Sequence, residues 1–304
     1  MKKRILYSLI IAVCFMSDAI GQSHPSLNNY LFNPVSIAPS YAGRLSGSLS
    51  ASHDQRWIGI DGAPVTSELS YDVMTKGRFG YNLSVMSNDV GPISNTAVGI
   101  VTSYHLRLSP EEYFSTGIRY VLNRLDVDLP SEQYIDPNDY IILNGVIRKW
   151  YHNVDISGAY YGRNSYFGAT MRNAVRTSFF LNDNYGARVI HLYGGSEYPT
   201  IYGFDFLYSG LINVVENTPV DVNLHMLVRF QDYLSSGIHI GSANVGLVYK
   251  INSNNGFTFL YQYSYPLSDL NVFSQQSHMA TLRYGFIRAS VFSNRIVETP
   301  VFFL

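Results

Sequence analysis

The sequence predicts an all-β protein, an antiparallel transmembrane β-barrel of about 14 strands. Three observations carry this. Apolar and polar residues alternate strictly over many segments of about ten residues, which puts successive side chains on opposite faces of a strand. Only 14% of residues are charged, while 25 are Tyr and 17 are Phe. The chain is 46% hydrophobic with a mean hydropathy of only +0.01. Past the first 21 residues no apolar run is long enough for a transmembrane helix. A barrel needs none, because lipid meets only every second residue of each strand. A soluble domain of this size usually carries charge on nearer a quarter of its residues.

The clearest pair of strands lies at 244–265. Val245, Leu247, Tyr249 and Ile251 share one parity, and Gly246, Val248 and Lys250 the other. The turn Ser253-Asn254-Asn255-Gly256 follows, and then Phe257, Phe259, Tyr261, Tyr263 and Tyr265 alternate with Thr258, Leu260, Gln262 and Ser264. Two such runs joined by an Asn/Gly turn make a hairpin, apolar toward lipid and polar toward the lumen.

In chain order, Lys2, Lys3 and Arg4 form a basic start, 5–16 an apolar core and Ala19-Ile20-Gly21 a cleavage site, so 1–21 reads as a signal peptide. The apolar stretch is too short to span a bilayer comfortably. Cys14 is the only cysteine, so the remaining chain, 22–304, has no disulfide and no cysteine metal site. A lipoprotein reading of Cys14 is weakened by bulky Val13 before it. Residues 22–45 are rich in turn formers (Pro25, Asn33-Pro34, Pro39-Ser40) yet apolar at Tyr30, Leu31, Phe32, Ile37 and Tyr41. They are expected to be irregular and to pack at a barrel mouth or inside the lumen.

Strands are expected at 47–55, 64–74 and 78–87, then a turn at 88–92, and further strands at 97–108 and 113–125. A long connection, 126–149, is centred on Asp136-Pro137-Asn138-Asp139. Strands follow at 150–160, 165–172, 187–195, 199–208, 220–230, 234–240, 244–251, 257–265 and 278–286. The total is even, as first and last strands pairing antiparallel require. Asp221, His225, Arg229, Lys250 and Arg283 fall in inward rows, where charge is tolerated. Residues 287–304 form an apolar tail in which Pro300 breaks any last strand.

No catalytic, cofactor-binding or metal-binding constellation is present. The eight histidines are scattered, with none at ligand spacing to another His or Cys. No phosphate loop and no Gly-x-Ser-x-Gly elbow occurs. His105 or His225, on inward rows, could in principle serve a barrel hydrolase as base, but a histidine there commonly just lines the lumen. A formal net charge of −1 gives no electrostatic case for nucleic acid.

Several motifs recur together: Tyr30-x-x-Asn33-Pro34, Pro39-Ser40-Tyr41-Ala42-Gly43, Trp57-Ile58-Gly59-Ile60-Asp61-Gly62-Ala63-Pro64-Val65-Thr66, Asn88-Asp89-x-Gly91-Pro92, Asp221-Val222-Asn223, Ser277-His278 and Pro300-x-Phe302-Phe303. With these the chain resembles the PorP/SprF family of the type IX secretion and gliding machinery, from the signal to the C-terminus. Two departures stand out. The family's Arg-x-Gln-Trp is Asp54-Gln55-Arg56-Trp57 here, and Val301 stands where the family has Arg. The resemblance implies a non-enzymatic barrel in the cell outer membrane, in contact with its lipid. Its partners would be a secreted type IX adhesin with a C-terminal sorting domain or periplasmic type IX components. The alternative is a diffusion channel for small solutes. Trp57, Ile58, Gly59, Asp61, Gly62, Ala63 and Pro64 are the expected partner-interaction signature. Gly59 and Gly62 allow tight turns, Pro64 fixes the start of a strand, and Trp57 and Ile58 are apolar anchors. By residue type alone, the same stretch would serve equally as a turn that seals the barrel.

Overall fold

The computed structural model describes residues 30–31, 33–44, 47–75, 78–128, 146–176, 187–200, 203–216, 218–253, 255–267 and 276–286. The signal segment, most of the connection at 126–149 and the C-terminal tail lie outside them. Fourteen strands run in chain order: β1 Ser48–Gln55, β2 Val65–Met74, β3 Phe79–Val90, β4 Ile93–Ser109, β5 Glu112–Asp128, β6 Val146–Tyr161 and β7 Ser165–Arg176. Then come β8 Val189–Pro199, β9 Phe204–Val215, β10 Asp221–Phe230, β11 Leu234–Gly241, β12 Asn244–Asn252, β13 Phe257–Pro266 and β14 Ser277–Gly285. Each pairs antiparallel with its sequence neighbours, and β1 pairs with β14 from Ser48↔Gly285 to Gln55↔His278, which closes the barrel. Closure leaves no strand edge in lipid.

The period-2 pattern fixes which side chains meet lipid. On β4, Val98, Ile100, Tyr104, Leu106 and Leu108 point outward and are exposed, while Ala97, Val101, Ser103 and His105 point inward and are buried. β12 repeats this, with Leu247 and Tyr249 outward and Val248 and Lys250 inward. Tyr71 and Phe286 stack, and Phe79–Tyr104 and Phe257–Tyr284 meet at a tilt, on the outside near the end where β1 begins. They form part of an aromatic girdle. Ile100 sits in the middle of the apolar belt at 58% exposure. Ile100→Arg is therefore expected to cost about 2–4 kcal/mol, read as urea-unfolding free energy in lipid vesicles; Ile100→Leu is expected to be near neutral.

Several expected boundaries move: β5 and β6 run into the expected 126–149 connection, to Asp128 and from Val146, β7 continues to Arg176 and β8 spans Val189–Pro199, and two further shifts have a clear local cause. Pairing of β3 with β4 continues through Val90↔Ile93, so the strands invade the expected 88–92 turn and leave only Gly91-Pro92 at the tip. Gly91 has φ +55, which supplies the tight reversal. The strand expected at 199–208 instead starts at Phe204. Pro199 ends β8, Thr200 closes the turn with its N–H on Asp205 Oδ1 at 3.0 Å, and Gly203 adopts φ +82. The lipid row then runs Phe206, Tyr208, Ile212 and the lumen row Leu207, Ser209, Leu211, Asn213.

The two ends differ. At the end where β1 begins and β14 ends, connections are short: 75–78, 110–111, 162–164, 200–203, 231–233 and 253–256. The far end carries the long 56–64, 129–145, 177–188 and 267–276 beside the shorter 91–92, 216–220 and 242–243. Short turns mark the periplasmic side of such barrels and longer loops the outer side. β4, β5 and β6 have 17, 17 and 16 residues against 8 in β1 and β11; β4 outruns β3 at the end where β1 begins, past Phe79↔Tyr104, and β6 outruns β7 at the far end, past Asn153↔Arg176.

Candidate functional site

Two features stand apart from the plain barrel: what fills the lumen, and what braces the far rim. Residues 30–31 and 33–44 lie inside the lumen, from inward Ser209 and His225 to Asp72, Ser103 and His105 toward the end where β1 begins. Pro34 and Pro39 each start a single 3₁₀ turn, since proline's fixed φ suits a first helical position. Tyr30, Leu31, Val35, Ile37, Ala38, Tyr41 and Ala42 are all at most 2% exposed. They share one core with inward Leu207, Leu211, Leu227, Val248, Leu260 and Met279. An aliphatic lumen wall of this kind is stable only when covered.

The segment's backbone polar groups are met by wall side chains. Arg119 Nη1 donates to the carbonyls of Val35 (3.1 Å) and Ser36 (2.7 Å). Ser103 Oγ donates to Ala42 O at 2.7 Å, and His105 Nε2 lies 2.8 Å from the same oxygen. Ser40 N–H donates to Ser157 Oγ (2.6 Å) and Gly43 N–H to Asp72 Oδ1 (2.8 Å). Tyr30 Oη is within reach of Ser209 Oγ (3.0 Å) and His225 Nδ1 (3.1 Å). Tyr41 packs among Tyr161, Tyr166 and Tyr193. Two glycines make room in the wall. A Cβ on Gly80 would lie 1.9 Å from Ala42 O, and one on Gly117 would lie 2.4 Å from Pro39 C. The wall is thus shaped to this segment, which sits in the lumen as a plug would.

Burial pushes the Tyr30 and Tyr41 phenols well above the usual tyrosine value of 10.0. The neutral form is the one that fits, so their contribution is complete below pH 10 and is lost as pH rises toward the folded values. Ultraviolet titration of the folded barrel is expected to show late-ionising phenols. Tyr30→Phe and Tyr41→Phe should each remove one.

Arg119 is held in turn by Asp155, with Nη2 to Oδ2 at 2.6 Å. Asp155 also accepts the Asn173 N–H at 2.8 Å and lies 3.8 Å from Arg172 Nε. Asn173 has φ +54 and sits where β7 bulges against β6. His105 and His225, the two histidines at which a base was conceivable, are both 0% exposed. Ser103 Oγ lies 2.9 Å from His105 Nε2, a pairing hidden in the sequence as residues two apart on one strand. Both groups are spent on Ala42 O, and His105 Nδ1 meets Tyr161 Oη at 2.6 Å, with no carboxylate behind it. Inward Arg229 pairs with Glu197 (2.6 Å) and Asp205 (2.5 Å). Among the described residues no three His, Cys, Asp or Glu side chains come together to hold a metal.

The expected signature stretch forms the β1–β2 loop on the far rim. It is braced on both sides. Trp57 N–H donates to Ser277 Oγ (3.1 Å) and Ile58 N–H to Gln276 O (2.9 Å). On the other side Gly91 N–H donates to Gly62 O at 2.8 Å. Two tight reversals, Ile60 N–H to Trp57 O and Ala63 N–H to Ile60 O, fold the loop on itself. Gly62 has φ +74 and a Cβ there would be 2.9 Å from Gly91 Cα, so glycine is required twice over. Pro64 precedes β2, and its carbonyl accepts from Arg56 N–H at 2.9 Å. Below, Arg56 Nε pairs with Asp54 at 3.2 Å, both buried. Gly59 and Asp61 are exposed, while Trp57, Ile58 and Ala63 are half-buried.

Comparison with known proteins follows the same lines. Residues 19–284 match the family model "Type IX secretion system membrane protein PorP/SprF". A search of curated proteins gives no match. Among solved structures, the chain is similar to the CymD monoaromatic hydrocarbon channel (TM-score 0.54, 10% identity, 88% of this chain and 95% of that one). It is similar also to the Ralstonia pickettii toluene transporter TbuX (0.51, 8%, 82% and 92%). The P. putida toluene transporter TodX gives 0.50 at 10% identity, over 86% and 95%. At such identities the likeness shows the fold alone.

Proposed function

Because the chain belongs to the PorP/SprF family of type IX secretion system membrane proteins, we propose that it is a non-catalytic outer-membrane scaffold. It assists export or surface anchoring of a large adhesin with a C-terminal sorting domain, or tethers periplasmic parts of that machinery. One observation carries the scaffold reading: the lumen holds the chain's own residues, buried in a wall notched by Gly80 and Gly117 to receive them. A diffusion channel, as the names of the similar solved structures suggest, would need a path past that segment. Planar-bilayer recording separates the two. The scaffold gives no steady conductance, and a steadily open pore would favour the channel. A hydrolase would need substrate at Ser103 and His105, which the plug covers, so purified protein is expected to leave lipid intact.

The biological test is deletion followed by a census of large proteins on the cell surface. Loss of one or a few large surface proteins is the expected result. An unchanged surface proteome overturns the adhesin role.

A further inference from the structure

The outer wall changes character where the first strand meets the last. The outward row of β1 runs Leu49, Ala51, His53, Gln55, and that of β14 runs His278, Ala280, Leu282, Tyr284. Register sets these side by side. His53 faces Ala280 and Gln55 faces His278, while on the other flank His53 faces Ser67 of β2. All share one face, because the alternate residues of β1, Ser50 and Asp54, point inward and are buried. His53, Gln55 and Ser67 are exposed.

The strip lies within the lipid belt. Leu49 pairs with Tyr284 and Tyr71, which belong to the aromatic girdle at the end where β1 begins. His53 is about 13 Å and Gln55 about 20 Å further along the strand, at about 3.3 Å per residue. Tilt lowers both heights, against a belt about 25 Å tall. β1 has 8 residues and β14 has 9, which leaves none to spare above a span of about 9–11. Shortness alone does not demand polar residues: β12 also has 9, and its outward row is Val245, Leu247, Tyr249 and Ile251.

One nitrogen of each histidine is engaged within the barrel. His53 Nδ1 lies 2.9 Å from Ser67 Oγ, and His278 Nδ1 meets the Tyr261 hydroxyl. Among the described residues, nothing hydrogen-bonds the other nitrogen, Nε2, of either ring or the Gln55 amide. Hydrocarbon cannot satisfy such groups, so they call for a protein partner inside the membrane.

We infer that this strip on β14, β1 and β2 is the face through which two copies of the chain pair side by side in the membrane. A second copy fits the chemistry. Gln55 both donates and accepts, and each Nε2 does one or the other according to tautomer. The strip is therefore complementary to itself when turned about a two-fold axis, as such an interface requires. It holds no carboxylate, Lys or Arg that would call for an opposite charge. Ala51 and Ala280, between the polar groups, let the two walls approach closely.

The test uses the full chain in its native outer membrane, with Cys14→Ser so that an introduced cysteine is the only one. Ala51→Cys and Ala280→Cys, made separately, are treated with a short bifunctional thiol reagent. A linked dimer is expected from at least one. Leu192→Cys, outward on β8 across the ring, should give about tenfold less. Replacing His53, Gln55 and His278 together with Leu should cut the linked dimer about tenfold, with the heat-dependent gel mobility of a folded barrel unchanged. No dimer from either seam cysteine overturns the proposal, and so does equal linking from Leu192→Cys, which marks random collision. Linking to a protein of another size means that the seam meets a different membrane protein, and the second copy falls. Undiminished linking in the triple Leu variant refutes the polar strip as its cause. None of these results bears on conductance or on the surface proteome, so failure here leaves the scaffold reading standing.

Discussion

Replacing Gly80 with valine is expected to open the lumen. The added Cβ would lie 1.9 Å from the Ala42 carbonyl oxygen and 2.5 Å from Ser103 Oγ. One of these contacts is to backbone, so a side-chain shift cannot relieve it. Either the plug leaves its seat or the wall strains by about 1–3 kcal/mol, as for an overpacked core. The strand ladder does not depend on the plug, since all fourteen strands pair with one another around the ring. The variant should therefore keep the heat-modifiable mobility of a folded barrel while conducting in planar bilayers where the parent does not. Gly117→Val should behave alike through Pro39 and Ser40. A silent, fully folded Gly80→Val would mean that the lumen is closed by something other than residues 33–44.

The second large effect is expected at Arg119. Its guanidinium serves Asp155 and two plug carbonyls at once. Arg119→Ala strands a carboxylate that is 1% exposed and leaves the carbonyls of Val35 and Ser36 without that donor. Breaking one side of a buried pair costs about 3–5 kcal/mol. Arg172 stays near Asp155, which puts the expectation at the lower end. Removing Asp155 as well should recover part of the loss, because the uncompensated charge goes with it; a coupling of about 0.5–3 kcal/mol in a double-mutant cycle is the measure. Urea unfolding in vesicles reads all three variants. Additive losses would show that the two side chains act independently.

The barrel was legible because a pleated strand leaves a period of two in the sequence wherever one face meets lipid. β4, β10, β12 and β13 show it residue by residue. β9 was displaced because Pro199 and the aromatic run after it look like a strand opening, whereas proline here closes the strand before. The 88–92 segment reads as all turn because Asn, Asp and Gly are turn formers, but Asn88 and Asp89 face Asn95 and Ser94 across a ladder. The plug was half visible. Tyr30, Leu31 and Ile37 among prolines and asparagines implied burial without strand, and the structure puts that burial in the lumen. Nothing local marks Gly80 or Gly117 as the wall's hollows, or Arg119 as the plug's holder, because each role exists only across the barrel. The signature loop's composition implied tight turns. That it is braced between Gln276 and Gly91 depends on closure of β1 onto β14, which no short motif encodes.

The unequal strand lengths give the molecule a front and a back within the plane of the membrane. The long ladders of β4, β5 and β6 lie together on one side of the ring, and the short strands β1 and β11 lie elsewhere in it. Rotation of the barrel about its own axis therefore changes what its surroundings can touch, and any assembly built around it has a fixed compass bearing.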